Sequence, residues 1–271
     1  MTKLSETGEL ALLAELERRG LIAGVEHDAA VVGGLVVTQD TLVEGVHFLV
    51  DRLTWRELGF RAAAVNISDL AASGAGPDAL LVSLAAPGVT ELDDVLALYD
   101  GIAEAGVAVV GGDTTSAPVV CISVTALGRS ERVPGRAGAQ PGDTLVVTGP
   151  LGGAGAAFRE GRYIRPPLRV EEGRELARTA HAQMDISDGI AVDAGHIARR
   201  SGVRCVIELD RVPLADGATV DDLGFGEDYE LLAAMQQAGR FAAIGRVEEG
   251  EGVELLLNGD PVELAGWEHY R

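Results

Sequence analysis

The chain has 271 residues, with 42 acidic and 22 basic side chains and a formal net charge of −20. A charge of this sign argues against a protein that binds nucleic acid by neutralising phosphates, and against an anionic membrane surface as the partner. The length suits one large or two modest domains with a buried core. Lys3 is the single lysine, which excludes a P-loop and a protein-kinase catalytic lysine.

The first segments predict a helix followed by a hairpin. Leucine spacing predicts a helix over residues 6–19. Two β-rich runs joined by Gly33-Gly34 predict a hairpin over residues 29–37. Thr54 and Glu57 then form a possible capping box for a long alanine-rich helix.

The middle of the chain also alternates between predicted helices and strands. Thr90 is expected to cap a helix that ends near residue 105. Strands are expected at 79–85, at 107–110, where the strand should be buried, and at 119–127. Cys121 and Cys205 lie far apart in strand-like runs, so we expect two reduced core cysteines and no disulfide.

The stretch 128–143 is rich in Gly, Arg and Pro and predicts a domain junction. We place the N-terminal domain at 1–135 and the C-terminal domain at 136–271. The second part predicts strands at 144–148, 205–209, 242–247 and 253–257, and helices near 154–161, at 170–180 and up to residue 201. The class is therefore mixed α and β. No signal peptide or long apolar run is found, so we expect a soluble cytoplasmic protein.

Aspartates recur at strand ends, in glycine-rich turns and within an apolar helix. They are Asp28, Asp40, Asp69, Asp113, Asp185 and Asp188. Carboxylates gathered in one site repel one another, and few cations lie near these motifs. Oxygen-only ligation favours Mg²⁺ or Mn²⁺, which bridge carboxylates and substrate phosphates. Each aspartate taken singly also fits an ordinary turn or cap, so the prediction rests on the combination.

Five motifs together resemble the signature of thiamine-monophosphate kinases. They are 38–48 (TQDTLVEGVHF), 64–72 (AVNISDLAA), 111–115 (GGDTT), 184–189 (MDISDG) and 226–231 (GEDYEL). The ending 266–270 (GWEHY) is similar as well. The motifs occur in the family's order and span nearly the whole chain.

The resemblance implies a two-domain fold like that of aminoimidazole ribonucleotide synthetase. Its N-terminal α+β domain would carry a sheet used in forming a homodimer, and its C-terminal domain would be α/β. It implies transfer of a phosphoryl group from ATP to thiamine monophosphate, giving thiamine diphosphate and ADP. Several Mg²⁺ ions would assist a direct in-line transfer, and neither nucleic acid nor membrane is expected as a partner.

The resemblance also implies roles for individual residues. The implied metal ligands are Asp28, Thr38, Gln39 (through its backbone), Asp40, Asp69, Asp113, Asp185 and Asp188. The implied ATP contacts are Gly112, Asp113, Arg136, Ser187 and Tyr99. The implied thiamine contacts are His47, Glu227 and Trp267, and the implied catalytic set is Asp40, Asp69, Asp113 and Asp188.

The residue chemistry agrees with such a reaction. A phosphate-monoester acceptor is largely dianionic at neutral pH, so no strong general base is needed. Bringing two anions together makes charge neutralisation the main catalytic task. Arg136 would add a fixed positive charge near ATP, and Trp267 and Glu227 suit a cationic heteroaromatic ring.

Two alternatives stay open. His27 stands where the family usually has an aspartate, and imidazole is a weaker ligand for Mg²⁺. This motivates a non-catalytic nucleotide- or metal-binding relative as one alternative. A same-fold kinase or ligase with another phosphate substrate is the other. Selenophosphate synthetase would need an N-terminal cysteine and a catalytic lysine, and the hydrogenase-maturation relative would end in cysteine, so neither fits this sequence.

Overall fold

The computed structural model describes residues 3–23 and 27–267. Within these residues the first domain has helices α1 (Leu4–Thr7), α2 (Glu9–Arg18), α3 (Trp55–Ala72) and α4 (Leu92–Ala103). Its strands are β1 (Ala30–Val32), β2 (Leu35–Val43), β3 (Gly76–Ala86), β4 (Val109–Ser116) and β5 (Cys121–Arg129).

The five strands form one sheet in the order β1-β2-β5-β3-β4, antiparallel except for the parallel pair β3 and β4. Alternate residues of β5, among them Ile122 and Val124, are buried on the face that α3 covers. The other face stays open in the chain, and Leu81 on β3 is 37% exposed there. The sheet therefore has one core-facing side and one uncovered side.

Helix α3 is the central element of this domain. The predicted capping box is present: the Thr54 hydroxyl accepts the Glu57 amide at 3.2 Å, and the Glu57 carboxylate accepts the Thr54 amide at 2.7 Å. The helix packs closely on α4 because glycines lie at the crossing. A Cβ on Gly59 would lie 1.9 Å from the Leu98 carbonyl oxygen, and one on Gly101 equally close to the Arg56 carbonyl oxygen.

The second domain contains a seven-stranded sheet. Its strands are β6 (Thr144–Val147), β7 (Ala182–Asp185), β8 (Arg204–Glu208), β9 (Leu231–Met235), β10 (Ala242–Glu248), β11 (Gly252–Leu257) and β12 (Asp260–Val262), in the order β12-β11-β8-β10-β6-β9-β7. Its helices are α5 (Gly153–Arg159), α6 (Val170–Ala177) and α7 (Ile190–Ser201), with short 3-10 helices at Leu209–Arg211 and Val220–Gly224. Helix α7 packs against β7, β8 and β11, so its side chains contribute to the core under this sheet.

Several predicted elements need correction. Gly8, at φ 75°, divides the predicted helix 6–19 into α1 and α2. Helix α4 begins after Glu91, so Thr90 is not its cap. Of the strand expected to be buried at 107–110, Val107 is buried but precedes the strand. Strand β4 starts at Val109 and has every residue exposed because it lies at the edge of the sheet. Both cysteines are free, as predicted, but only Cys205 is fully buried.

The predicted boundary between 135 and 136 stays a prediction and falls between β5 and β6. The two domains contact each other through α3, which packs against both α6 and β7. None of the helices in the described ranges is long and apolar enough to cross a membrane.

Candidate active site

A cleft of about 1550 Å³ lies where the two domains meet. Strand β2 and helix α3 line it from the first domain. The loop after β7, the segment 162–166 and the turn 224–229 line it from the second domain, together with residues 265–267. Most of the predicted site residues line this cleft.

Four aspartates from four segments gather at the base of the cleft. Asp28 precedes β1, Asp40 lies on β2, Asp69 lies on α3 and Asp185 ends β7. Asp40 and Asp69 are close enough that each acts on the pKa of the other.

Neutral hydroxyls and an amide hold these carboxyls in place. The hydroxyl of Thr38 donates to Asp69 Oδ2, and the hydroxyl of Ser68 donates to Asp185 Oδ2 at 2.6 Å. The Asp40 backbone amide donates to Asn66 Oδ1 at 3.0 Å. Because α3 continues unbroken past Asn66, it presents Ser68 and Asp69 to the cluster from one buried helix.

Burial raises the pKa of every member of this cluster, and repulsion from neighbouring carboxylates adds to the rise for Asp40, Asp69 and Asp185. Burial is the largest cause for Asp69, whose pKa lies well above the usual range, and repulsion from Asp40 and Asp185 adds to it. Burial, followed by repulsion from Asp28, raises the pKa of Asp185 to about 8. Burial also raises the pKa of Asp40. The cluster is therefore an unfavourable arrangement of acids unless positive charge is supplied.

Arg136 supplies part of that charge. Its guanidinium donates to Asp28 Oδ1 from Nε at 2.8 Å and approaches the same oxygen with Nη2 at 2.6 Å. Burial raises the pKa of Asp28, and Arg136 opposes the rise. The other oxygen, Asp28 Oδ2, is buried and has no hydrogen-bond partner among the described residues.

The donor set fits a hard divalent cation. It is all-oxygen, it repels itself, and it leaves Asp28 Oδ2 buried without a partner. Within residues 3–23 and 27–267, no three acidic, histidine or cysteine side chains already form a metal cage. An all-oxygen donor set suits an ion that keeps waters and takes further oxygens from a phosphate substrate, as Mg²⁺ does. The side chain of Gln39 accepts a hydrogen bond from Thr125 at 3.1 Å on the uncovered face of the sheet, which leaves only its backbone for the predicted metal role.

The loop after β7 brings Ser187 and Asp188 to the cleft. The Asp188 amide donates to Asp193 Oδ2 at 3.2 Å, and the Trp267 amide donates to the Asp188 carbonyl at 3.0 Å. Asp193 is almost fully buried in the first turn of α7 and was missed by the sequence reasoning. The sequence feature that could have identified Asp193 is an acidic residue on the core-facing side of an amphipathic helix. Of the predicted match at 266–270, residues 268–270 lie outside the described residues.

The turn that carries Glu227 is strained. Glu227 and Tyr229 have φ angles of 58° and 51°, which are uncommon for residues other than glycine and cost about 1–3 kcal/mol each. The Glu227 and Tyr229 amides donate to the Ser187 and Ile186 carbonyls, both at 2.9 Å. These bonds fix the turn against the Ser187 loop.

Arg61 reaches this turn from the first domain and was also missed. Its side chain is 9% exposed and forms an ion pair with Glu227. Burial raises the pKa of Glu227, and Arg61 opposes the rise. The sequence signal for Arg61 is the same as for Asp69: each is a charged residue in an alanine-rich helix. A buried charge of this kind needs a partner.

His47 lies in the turn after β2 and lines the cleft. Its Nδ1 accepts the Val43 backbone amide at 3.0 Å. In the neutral ring, the proton is therefore on Nε2. His47 can act as a hydrogen-bond donor from that nitrogen.

Three predicted residues lie away from the cleft within the chain. Gly112 and Asp113 are on β4, at the far edge of the first sheet. Tyr99 lines a separate groove of about 470 Å³ between α4 and the start of β4. Their predicted roles in binding ATP or metal are not supported by proximity to the aspartate cluster of the same chain.

Comparison with known proteins agrees with this architecture. The family model of the AIR synthase related protein N-terminal domain matches residues 26–130, and that of the C-terminal domain matches residues 140–228. The two-domain fold predicted from the sequence is thus confirmed.

The chain is 33% identical to thiamine-monophosphate kinase of Aquifex aeolicus over 99% of this chain and 100% of the relative. It is 36% identical to that of Pyrococcus horikoshii over 88% of this chain and 86% of the relative. The solved structure of AaThiL complexed with AMPPCP and TMP has 34% identity, covers 99% of both chains and superposes with a TM-score of 0.90. The chain belongs to the thiamine-monophosphate kinase family, so the prediction of an enzyme of this kind is confirmed.

Proposed function

We propose that the protein transfers the terminal phosphoryl group of ATP to thiamine monophosphate, giving thiamine diphosphate and ADP. The observation that carries this proposal is the buried cluster of Asp28, Asp40, Asp69 and Asp185 at the base of an interdomain cleft. Similarity to a structure complexed with AMPPCP, an ATP analogue, and TMP supports both substrates.

The aspartates would hold Mg²⁺ together with Thr38, Asp188 and the backbone at Gln39. When bound, Mg²⁺ neutralises phosphate charge and orients the phosphates for in-line transfer. Thr38 and Ser68 keep the carboxyls of Asp69 and Asp185 in fixed orientations, so the cluster needs little rearrangement on binding. Arg136, tied to Asp28, adds a charge that does not depend on pH.

The cleft also suits the thiamine part of the acceptor. Glu227, Trp267 and His47, for which the resemblance implies thiamine contacts, line the cleft. Glu227 is anionic and partly exposed, and Arg61 holds it in place without covering it: its side chain is 33% exposed. We assign His47 to donating a hydrogen bond from Nε2.

We further propose a homodimer in which Gly112, Asp113 and Tyr99 serve the partner's site. Strand β4 has an exposed edge, with Val110 65% exposed, and the open face of the sheet carries the half-exposed Leu81. Covering this face with a second copy would bury apolar surface and bring Asp113 to a cleft that its own chain does not offer.

An end-point assay tests the proposed reaction. Purified protein, ATP, Mg²⁺ and thiamine monophosphate are incubated, and thiamine diphosphate is sought by chromatography. We expect metal-dependent product that is lost with EDTA and in Asp40→Asn. The matched control is Asp78→Asn, which changes an exposed carboxylate paired with Arg129 and should leave activity intact.

Two other results would replace the proposal. ATP binding without product or ADP would favour the non-catalytic relative that His27 suggests. ADP formation with a different phosphate acceptor, and none with thiamine monophosphate, would favour a same-fold enzyme with another substrate.

A further inference from the structure

Aromatic side chains are scarce in this protein but concentrated in the cleft. The chain has five Phe, four Tyr and two Trp, and six of these rings line the cleft. They are Phe48, Phe158, Tyr163, Phe225, Tyr229 and Trp267. A cleft lined by both carboxylates and aromatic rings fits a ligand with a phosphate and a flat ring.

Phe158 is the unusual member of this group. It is near the end of α5 and is 58% exposed, although it is a large apolar side chain. Its ring packs on Phe225 with centroids 5.0 Å apart and planes tilted by 33°. Packing on one side and exposure on the other give a fixed ring with surface available to a ligand.

The space over Phe158 already attracts a cation in the structure. The guanidinium carbon of Arg52 lies 5.9 Å from the ring centroid, at the outer limit of a cation–π contact. Arg52 is an exposed, flexible side chain, so a bound cation can displace it. An aromatic face that accepts a guanidinium accepts a heteroaromatic cation for the same electrostatic reason.

The position of this ring is coupled to the strained turn. The Asp228 carboxylate accepts the backbone amides of Gly152 at 2.8 Å and Ala154 at 3.4 Å, at the start of α5. Asp228 lies between Glu227 and Tyr229. Its hydrogen bonds therefore join the turn that contains the anionic Glu227 directly to the helix that carries Phe158. The aromatic ring and the carboxylate are thereby held as one unit.

We propose that Phe158 is a specificity-determining residue that stacks on the positively charged heteroaromatic part of thiamine monophosphate. This rests on the proposed function. The sequence motifs of the family do not include Phe158, and its role follows from exposure, ring packing and its link to Glu227. Phe225 supports the ring from behind, and the charge of Glu227 complements the substrate cation.

Steady-state kinetics of Phe158→Ala and Phe158→Tyr test the assignment. We expect Phe158→Ala to raise the KM for thiamine monophosphate about tenfold, with kcat and the KM for ATP unchanged. Phe158→Tyr keeps an aromatic face and should restore a near-wild-type KM. Val89→Ala truncates an apolar side chain outside the cleft that is 88% exposed, and should change nothing.

Binding of thiamine, which lacks the phosphate, separates this proposal from the reaction itself. Calorimetry should show weaker thiamine binding to Phe158→Ala than to wild type, and unchanged binding in Val89→Ala. If wild type forms no thiamine diphosphate but thiamine binding still depends on Phe158, the aromatic site stands and the proposed reaction falls. If wild type is active and the KM and thiamine binding of Phe158→Ala equal those of wild type, the role of Phe158 is wrong.

Discussion

The side chains of Asp40 and Asp113 lie on opposite faces of the same five-stranded sheet, three strands apart. The residues paired across the sheet with Asp40 are Val124, Val82 and Gly112. Asp113 follows Gly112 on its strand, so its side chain points to the opposite face. Asp40 pairs in register with the buried Val124 and interacts with Asp69 on the helix-covered face, whereas Asp113 pairs in register with the exposed Ser83. Three strand spacings amount to roughly 14 Å, so one chain cannot bring both carboxylates to one ion.

Mixed dimers test whether Asp113 acts in the partner's site. Asp40→Asn and Asp113→Asn should each be inactive alone. If the site is shared, a mixed dimer contains one site with both aspartates intact and one with neither. Random mixing after subunit exchange should then restore about a quarter of wild-type activity.

The control for this experiment mixes Asp40→Asn with Asp69→Asn. Both changes fall within one chain's cluster, so no mixed site is complete and activity should stay absent. No recovery of activity in the Asp40/Asp113 mixture after verified subunit exchange would contradict the shared site. Size-exclusion chromatography with light scattering gives the oligomeric state directly.

Asp69→Asn should stabilise the metal-free protein while abolishing activity. The change removes a buried acid that burial and its neighbours Asp40 and Asp185 disfavour, and the amide oxygen can still accept from Thr38. We expect the thermal midpoint in EDTA to rise by about 2–4 °C, as for a gain of roughly 1 kcal/mol in a chain of this size. Differential scanning calorimetry measures it, and a lower midpoint would show that the cluster is not self-repelling.

The acidic cluster could be predicted from sequence because each member interrupts a local pattern. Asp40 ends a β-rich run and Asp69 lies in an alanine-rich helix, where a charge demands a partner. The Arg61–Glu227 pair could not be predicted, because its members are 166 residues apart and only the docking of the two domains joins them. The left-handed turn at Glu227 lacks a local signal, since it is held by the Ser187 loop and by α5.

The position of β4 at the edge of the sheet could not be predicted from its own sequence segment. Val109 and Val110 read as a buried strand because both are β-branched and apolar. Their exposure follows from sheet order, which is set by long-range pairing of β3 with β5 on its other side. An apolar edge strand is also typical of a dimer interface. The unexpected exposure of Val109 and Val110 therefore agrees with the proposed homodimer.

Arg136→Met should destabilise the protein because it leaves Asp28 buried without its counter-charge. Asp28 can protonate, which limits the cost to about 2 kcal/mol, less than for a buried ion pair that cannot adjust. Adding Asp28→Asn removes the stranded acid and should recover most of the lost stability. Activity should stay absent in the double variant, because a side-chain amide at this position cannot replace the carboxylate. Urea unfolding of wild type and of the single and double variants gives the coupling free energy between Arg136 and Asp28.

His196 should make the protein less stable at acidic pH. Burial, followed by repulsion from Arg136, lowers the pKa of His196 to about 3. In the unfolded chain the pKa is about 6.5, so between these values the unfolded state binds a proton that the folded state does not. The contribution of His196 to the free energy of unfolding is therefore complete above pH 6.5 and declines as pH falls, by about 2 kcal/mol at pH 5. Relative to wild type, His196→Gln should gain stability between pH 7 and pH 5 in urea unfolding. A stability difference between the two proteins that does not change with pH would contradict this origin.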